Sequence, residues 1–316
     1  MKKKIIIIIL NLLYCSCFSQ TDRKIFIADS ITREPVEYAC IVFADTVGGT
    51  YSNSKGIFYI SQNIGQIEIS SIGYYSKTIN IEKIIDTVFI SPQVYEISET
   101  KVLPTKKKRK SIELGYANEN SIYFIGFISG EEIAVYIPAG NENNTFRLIK
   151  QVIIRERNAL QRQLDIQRRE YTGIFKINFY EATENKEIGE LINTEDIVFT
   201  SEILKSKTKL DVGKYNIYMP ENGIFVGVEF METINDEQEE IIKIKKLKMR
   251  ALPNIFIRVS WKIPNSIVYE KKKFRYSDNN WHRIDKNNER IKEIKSLDKN
   301  LKEDDFYTPL FSVVLE

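Results

Sequence analysis

The stretch Gly48–Ile60, GGTYSNSKGIFYI, decides how the first third of the chain is read. Thr50 and Tyr51 close one extended run. Asn53-Ser54-Lys55-Gly56 supplies turn chemistry, and Ile57-Phe58-Tyr59-Ile60 opens the next run. Asn bonds its own backbone in turns, and Gly adopts positive φ without a Cβ clash. The spacing predicts a β-hairpin.

Short strands with turn signals continue on both sides. Lys24–Ala28 precedes a polar loop from Asp29 to Pro35, and Tyr38–Phe43 is a strongly apolar run. Downstream, Gln66–Ile72 alternates and stops at Gly73. Tyr74–Ile81 and Thr87–Ile90 alternate again, and Tyr95–Leu103 forms a last run. About seven short strands at turn-punctuated spacing predict an antiparallel sandwich over residues 21–103.

The composition agrees with an all-β reading. Hydrophobic residues make up 43% and charged residues 28%, and Phe and Tyr number 17 each. Aromatic and β-branched side chains suit pleated sheets. A length of 316 residues predicts two domains.

The start of the chain predicts export. Lys2–Lys4 form a positive region. Ile5–Tyr14 form an apolar core broken only by Asn11, and Cys17 and Ser19 place small residues three and one positions before a cut at Gln20. This is the pattern of a secretory signal peptide over residues 1–20. The alternative is a lipoprotein anchored through Cys17. Beyond residue 20, no stretch is apolar enough for a transmembrane span.

Of the 46 basic residues, three lie in that segment, which holds no Asp or Glu, so 43 basic residues then face 43 acidic ones. A nucleic-acid binder advertises a basic surplus, and this chain has none. Cys40 is left as the sole cysteine of the exported chain if Cys15 and Cys17 depart. One cysteine makes no internal disulfide, and its apolar strand predicts a small core residue rather than a reactive thiol.

In order along the chain, ADSITREPVEYACIVF, GTYSNSKGIFYI, IEISSIGYYSKTINI, DTVFISP and EISETKV resemble the carboxypeptidase-like regulatory domain. Pro35 and Ala39 match its P-x-x-x-A element. Gly49-Thr50 with Gly56-Ile57-Phe58 match its G-T…G-x-F pair, and Ile72-Gly73-Tyr74 matches its x-G-Y turn. The resemblance implies a transthyretin-like Greek-key sandwich, of a kind common in secreted and outer-membrane proteins of Bacteroidetes-type bacteria. In that family this domain is the non-catalytic companion of a zinc peptidase. A peptidase site needs two His and a Glu on zinc, and this chain has one histidine, His282.

Residues 104–111 read as a basic linker, and residues 112–316 as a second β-sandwich of jelly-roll type. Expected strands are Ser121–Ile128, Glu132–Ile137, Phe146–Ile154, Thr172–Tyr180, Ile197–Thr200, Tyr215–Met219, Ile224–Met231, Leu252–Lys262, Ile267–Tyr269 and Leu310–Leu315. Pro220-Glu221-Asn222-Gly223 predicts a hairpin whose flanking strands pair directly. The runs FKINFYEA, IGELINTEDIVF and LDVGKYNIYMPENGIFVGVEF resemble a companion domain that often follows the regulatory domain, with no activity attached. Arg155–Tyr171, with Leu160 and Leu164 four apart, reads as a short helix. Glu232–Arg250 is a self-neutralising insertion, helix or hairpin.

No catalytic, cofactor-binding or metal-binding residue is assigned. His282, after Trp281, reads as part of a turn leading into a strand rather than as an acid/base group. The pairs Glu131-Glu132, Glu239-Glu240 and Asp304-Asp305 read as solvated, with neighbours pointing apart on a strand. There is no G-x-S-x-G elbow, P-loop or G-x-G-x-x-G motif. The expectation is a non-catalytic, exported cell-envelope protein, in the periplasm, at the outer-membrane surface or secreted. It would bind or scaffold a protein or polysaccharide partner, with no nucleic acid and no cofactor. The alternatives are an envelope polysaccharide hydrolase with carboxylates in the second domain, or a structural partner of an outer-membrane receptor.

Overall fold

A computed structural model describes residues 23–60, 64–93, 110–119, 123–155, 171–200, 207–235, 240–241, 256–260, 263, 265–274, 280–285, 287–288, 291–292, 295–296 and 307–316. The fold is all-β. The first 22 residues and Tyr95–Leu103 lie outside the described residues, as do most of the basic linker and of Arg155–Tyr171.

The first domain is two facing sheets. One has the order β4-β1-β7, from β1 (Arg23–Asp29), β4 (Ile57–Ile60) and β7 (Thr87–Ile90). The other has the order β3-β2-β5-β6, from β2 (Cys40–Phe43), β3 (Gly49–Tyr51), β5 (Gln66–Ser70) and β6 (Lys77–Asn80). Alternation sends Ile25, Ile27, Ile41, Phe58, Ile67, Ile69, Val88 and Ile90 into one core. Each such side chain contributes about 1.5–3 kcal/mol when fully buried. The sandwich is not wholly antiparallel, because β1 and β7 pair in parallel.

The opening stretch is not a hairpin. β3 pairs with β2, whereas β4 pairs with β1 in the other sheet. The expected turn is present: Gly56 has φ 70, Gly56 N donates to Asn53 O at 2.9 Å, and Asn53 Oδ1 accepts from Lys55 N and Ile57 N. What the sequence did not reveal is the anchor before it. Ser52 is buried; its Oγ accepts from Ala39 N and donates to Val36 O. That pins the end of β3 to its own sheet while the turn carries the chain across the core.

The second domain is built on an eight-stranded sheet. Its spine runs β13-β12-β16-β10-β19-β20. These are β10 (Glu131–Ile137), β12 (Tyr171–Ala182), β13 (Ile188–Leu191), β16 (Ile224–Asn235), β19 (Val268–Lys272) and β20 (His282–Arg283). β14 (Ile197–Thr200) also pairs β12, and β17 (Glu240–Ile241) pairs β16. The β16–β17 pairing gives the start of the Glu232–Arg250 insertion the hairpin form. A four-stranded sheet, β15-β11-β22-β8, is formed by β8 (Ile112–Gly115), β11 (Ile149–Arg155), β15 (Lys207–Asp211) and β22 (Phe311–Leu315). β9 (Tyr123–Gly126), β18 (Phe256–Ser260) and β21 (Thr308–Pro309) make a third. One core joins all three sheets, with Ile133, Val135, Phe175, Phe179, Val226, Val228, Val152, Val313 and Val259 among its members.

The Pro220–Gly223 turn forms, with Gly223 at φ 86, but its flanks do not pair. β16 lies between β10 and β12. Tyr215–Met219 is not a strand; its backbone bonds instead to Phe146, Arg147 and Ile149. A Cβ at position 223 would stand 2.7 Å from Ile137 O, so the bare glycine lets the turn pack against the end of β10.

Candidate functional site

The inner face of the eight-stranded sheet is hydrophobic, and its outer face carries the polar chemistry. Alternation puts Glu132, Ala134 and Tyr136 outward on β10, Phe225, Gly227 and Glu229 on β16, and Lys176, Asn178 and Tyr180 on β12. Register then sets them in rows. Lys176 is opposite Glu229, Glu229 is opposite Glu132, and Glu132 is opposite Lys271, so one row across four strands reads Lys, Glu, Glu, Lys.

Like charges directly opposite one another destabilise a sheet, and here they are fully buried. Glu132 is 0% exposed and Glu229 1%. The expectation of a solvated Glu131-Glu132 pair is therefore corrected. The two residues do face opposite ways, but both are buried: the first domain sits over Glu132, whereas Glu131 lies on the other face and accepts from Ile128 N. Asn178 Nδ2 bridges the carboxylates, donating to Glu132 Oε1 at 2.8 Å and Glu229 Oε2 at 3.3 Å. Tyr180 OH donates to Glu132 Oε1 at 2.8 Å, and Lys273 Nζ to Glu229 Oε1 at 2.7 Å. Room for the Glu132 carboxylate comes from Gly227, where a Cβ would lie 2.3 Å from Oε1.

Two bonds cross from this row to the first domain. Tyr51 OH donates to Glu229 Oε1, and Lys176 Nζ, paired with Asp196 at 2.9 Å, donates to Tyr38 O at 2.9 Å. Beside them Cys40 and Tyr51 pack on Ile174, Met231 and Phe274. The Phe274 ring fits between two glycines: added Cβ atoms would come within 2.2 Å of it at Gly49 and 2.5 Å at Gly130. Cys40 is buried as expected, but in this interface cluster rather than in the sandwich core.

Environment drives the two carboxyls apart. Burial works to raise Glu229, but Lys273 and Lys176, with bonds from Lys273 and Tyr51, hold it down at about 2. Burial and then the Glu229 charge push Glu132 upward. Burial and then Lys273 push Lys271 downward, and burial followed by the two carboxylates pushes Tyr180 up. Such splitting is the pattern of an acid and a base, but no sugar or water reaches a pair with this exposure.

The other half of the outer face is aromatic. Tyr136, Phe225, Tyr269, Tyr180 and Trp281 form a ridge, with ring centroids 5.4 Å apart for Tyr136–Phe225, 5.6 Å for Phe225–Tyr269 and, in a separate pair, 5.2 Å for Tyr180–Trp281; Phe225 and Tyr136 are its buried base. Tyr180, Tyr269 and Trp281 are half-buried. Lys271 Nζ stands 5.7 Å from the Trp281 ring centroid. The ridge ends in an open cavity of about 670 Å³ lined by Tyr136, Asn141, Glu142, Glu184, Lys186 and Asn222, among others.

His282 lies on β20, half-buried and directly across from Glu270, which bonds Asn288 and Lys272. It is not part of the carboxylate row. Glu239 and Asp304-Asp305 lie outside the described residues. Among the described residues, no group of three or more His, Cys, Asp or Glu is placed to hold a metal ion, and no helix is long and apolar enough to cross a membrane. In the sequence Glu132 stands out only as half of an adjacent pair and Tyr51 only as the end of a strand, and no local motif marks Glu229 or Lys273. Their meeting depends on strand order, and the only local signal was a charged residue at an inward or outward beat of an apolar strand. Comparisons with family models, curated proteins and solved structures return no match.

Proposed function

We propose that this is a non-catalytic, exported cell-envelope protein that holds a polysaccharide chain on the aromatic ridge of its second domain. The observation that carries the reading is the ridge itself, running into a cavity walled by amides, carboxylates and a lysine. Sugar rings present C–H faces to aromatic rings and hydroxyls to such polar groups, and a volume of this size suits a bound small ligand. A helical protein partner would call for a continuous aliphatic surface, whereas the half-exposed rings here are Tyr and Trp. The first domain, read as a carboxypeptidase-like regulatory sandwich, acts as the seated scaffold beside the ridge. The signal pattern of residues 1–20 supports export, with Cys17 as the lipid-bearing residue if the chain is anchored.

The hydrolase reading draws on one observation, the facing pair Glu132 and Glu229 under a shared Asn178. Their burial beneath Tyr51 argues against it in the seated form.

The test is a fluorescence titration with envelope polysaccharide fragments, using Trp261→Phe so that Trp281 is the reporter. Saturable binding is expected, and Trp281→Ala, which removes the reporter and is therefore titrated by calorimetry, should cost about 2 kcal/mol, roughly thirty-fold in affinity. No reducing ends should appear. Absence of saturable binding to any envelope polysaccharide overturns the reading, and saturable binding to a protein instead transfers the ridge to that partner.

A further inference from the structure

Glu132 and Glu229 lie within reach of a single amide nitrogen in a site closed to water. Two ionised carboxylates so placed repel strongly, and a shared proton is the stable arrangement. Their partners are unequal. Glu229 receives the Lys273 ammonium and the Tyr51 hydroxyl. Among the described residues, Glu132 receives only neutral donors, Asn178 and Tyr180, both on Oε1, and its buried Oε2 meets no hydrogen-bond donor. The proton belongs on Glu132.

Among the described residues, the other charged or titratable groups facing the pair are few. β12 contributes Lys176, which is paired with Asp196, and Tyr180. β19 and the turn after it contribute Lys271 and Lys273. The first domain contributes Tyr51 and Cys40. Glu131, Glu270 and Lys272 fall on the opposite beat of their strands and do not join the row.

We infer that this proton is a latch: with it in place the first domain stays seated through Tyr51 on Glu229, and without it a second buried anion favours the unseated form, in which water reaches both carboxylates. An ionised Glu132 also competes with Glu229 for Asn178 and Lys273, which weakens the acceptor that Tyr51 uses. The sign follows from the direction of the shift. Glu132 titrates above the usual carboxylate range because of burial and then Glu229. The stability it gives the seated form is complete at low pH and is lost as pH rises through the raised value. This inference does not depend on the ligand of the aromatic ridge.

Cys40 supplies the readout, because it is buried in the interface that opens. The full chain carrying Cys15→Ser and Cys17→Ser has Cys40 as its one thiol. Its alkylation rate, normalised to the denatured chain at each pH, should climb by up to about tenfold per pH unit above the usual carboxylate range and level off above the Glu132 value. Glu132→Gln, a neutral isostere of the protonated acid, should label slowly and without that slope. Glu229→Gln should label fast throughout. A flat wild-type profile from about pH 5 to about pH 9 overturns the latch. So does a Glu132→Gln chain that keeps the wild-type slope. Should that variant fail to fold, the wild-type profile by itself decides: a rising profile supports the latch and a flat one overturns it.

Discussion

Gly56 has φ 70, and Ile27 O lies 2.6 Å from where its Cβ would be. Both the left-handed backbone and the close approach require glycine. Gly56→Val should destabilise the first domain by about 2–4 kcal/mol, seen as a lower melting temperature; an unchanged midpoint would contradict the turn. Gly227 is bare for a different reason. Its φ is unremarkable, but a Cβ would meet Glu132 Oε1 at 2.3 Å. Gly227→Ala should displace that carboxylate from Asn178 and Tyr180 and destabilise the chain by about 1–3 kcal/mol in denaturant unfolding, the cost of a buried polar group losing its partners. Turn chemistry made Gly56 legible from its neighbours. Gly227 was not legible, because the group it admits belongs to a strand 95 positions earlier.

At the scale of elements, most strands could be read from alternation, and their pairing could not. Only Ser52–Gly56 separates β3 from β4, around a real turn, yet the two belong to different sheets. β16 begins at the Pro220–Gly223 turn but pairs with β10 and β12. Turn residues set a local reversal; which edge a strand joins depends on where its apolar face finds a core. Phe274, in the turn after β19, shows the same limit. It looks like an ordinary aromatic in sequence, and it joins the two domains by filling the space left by Gly49 and Gly130 and touching Tyr51 at 5.3 Å between centroids. Phe274→Ala should cost about 3–5 kcal/mol, as large-to-small changes of buried aromatics do. It should also accelerate Cys40 labelling at every pH, unlike the pH-dependent opening of the unaltered chain. A variant with unchanged labelling would mean that this ring does not hold the interface.

At the scale of the whole molecule, two domains meet over a buried set of acids and bases: Glu132, Glu229 and Asp196 with Lys176, Lys271 and Lys273. Buried ion networks are weak sources of net stability but costly to break singly. The acid side of the stability profile follows from Glu229. Its pKa falls from the usual 4.5 to about 2, so its contribution is present above the usual value and is lost as pH drops through that window. Unfolding in denaturant should show stability falling with acidification over that range, and Glu229→Gln should remove this limb; an unaltered limb would assign it to other carboxylates. With Glu132 acting in the opposite sense, the seated form is most stable between the two.

The amino-acid sequence by itself determined the all-β class and the placement of most strands. Those depend on alternation, turn residues and composition, which act over a few neighbours. It also showed that one histidine cannot supply a two-histidine zinc site. Only the tertiary structure decided which strands pair, that Glu132 faces Glu229, and that Tyr51 of the Gly48–Ile60 stretch closes over them. Those contacts join residues tens to nearly two hundred positions apart, and the free energy that selects them comes from burying whole faces against each other, which no local pattern encodes.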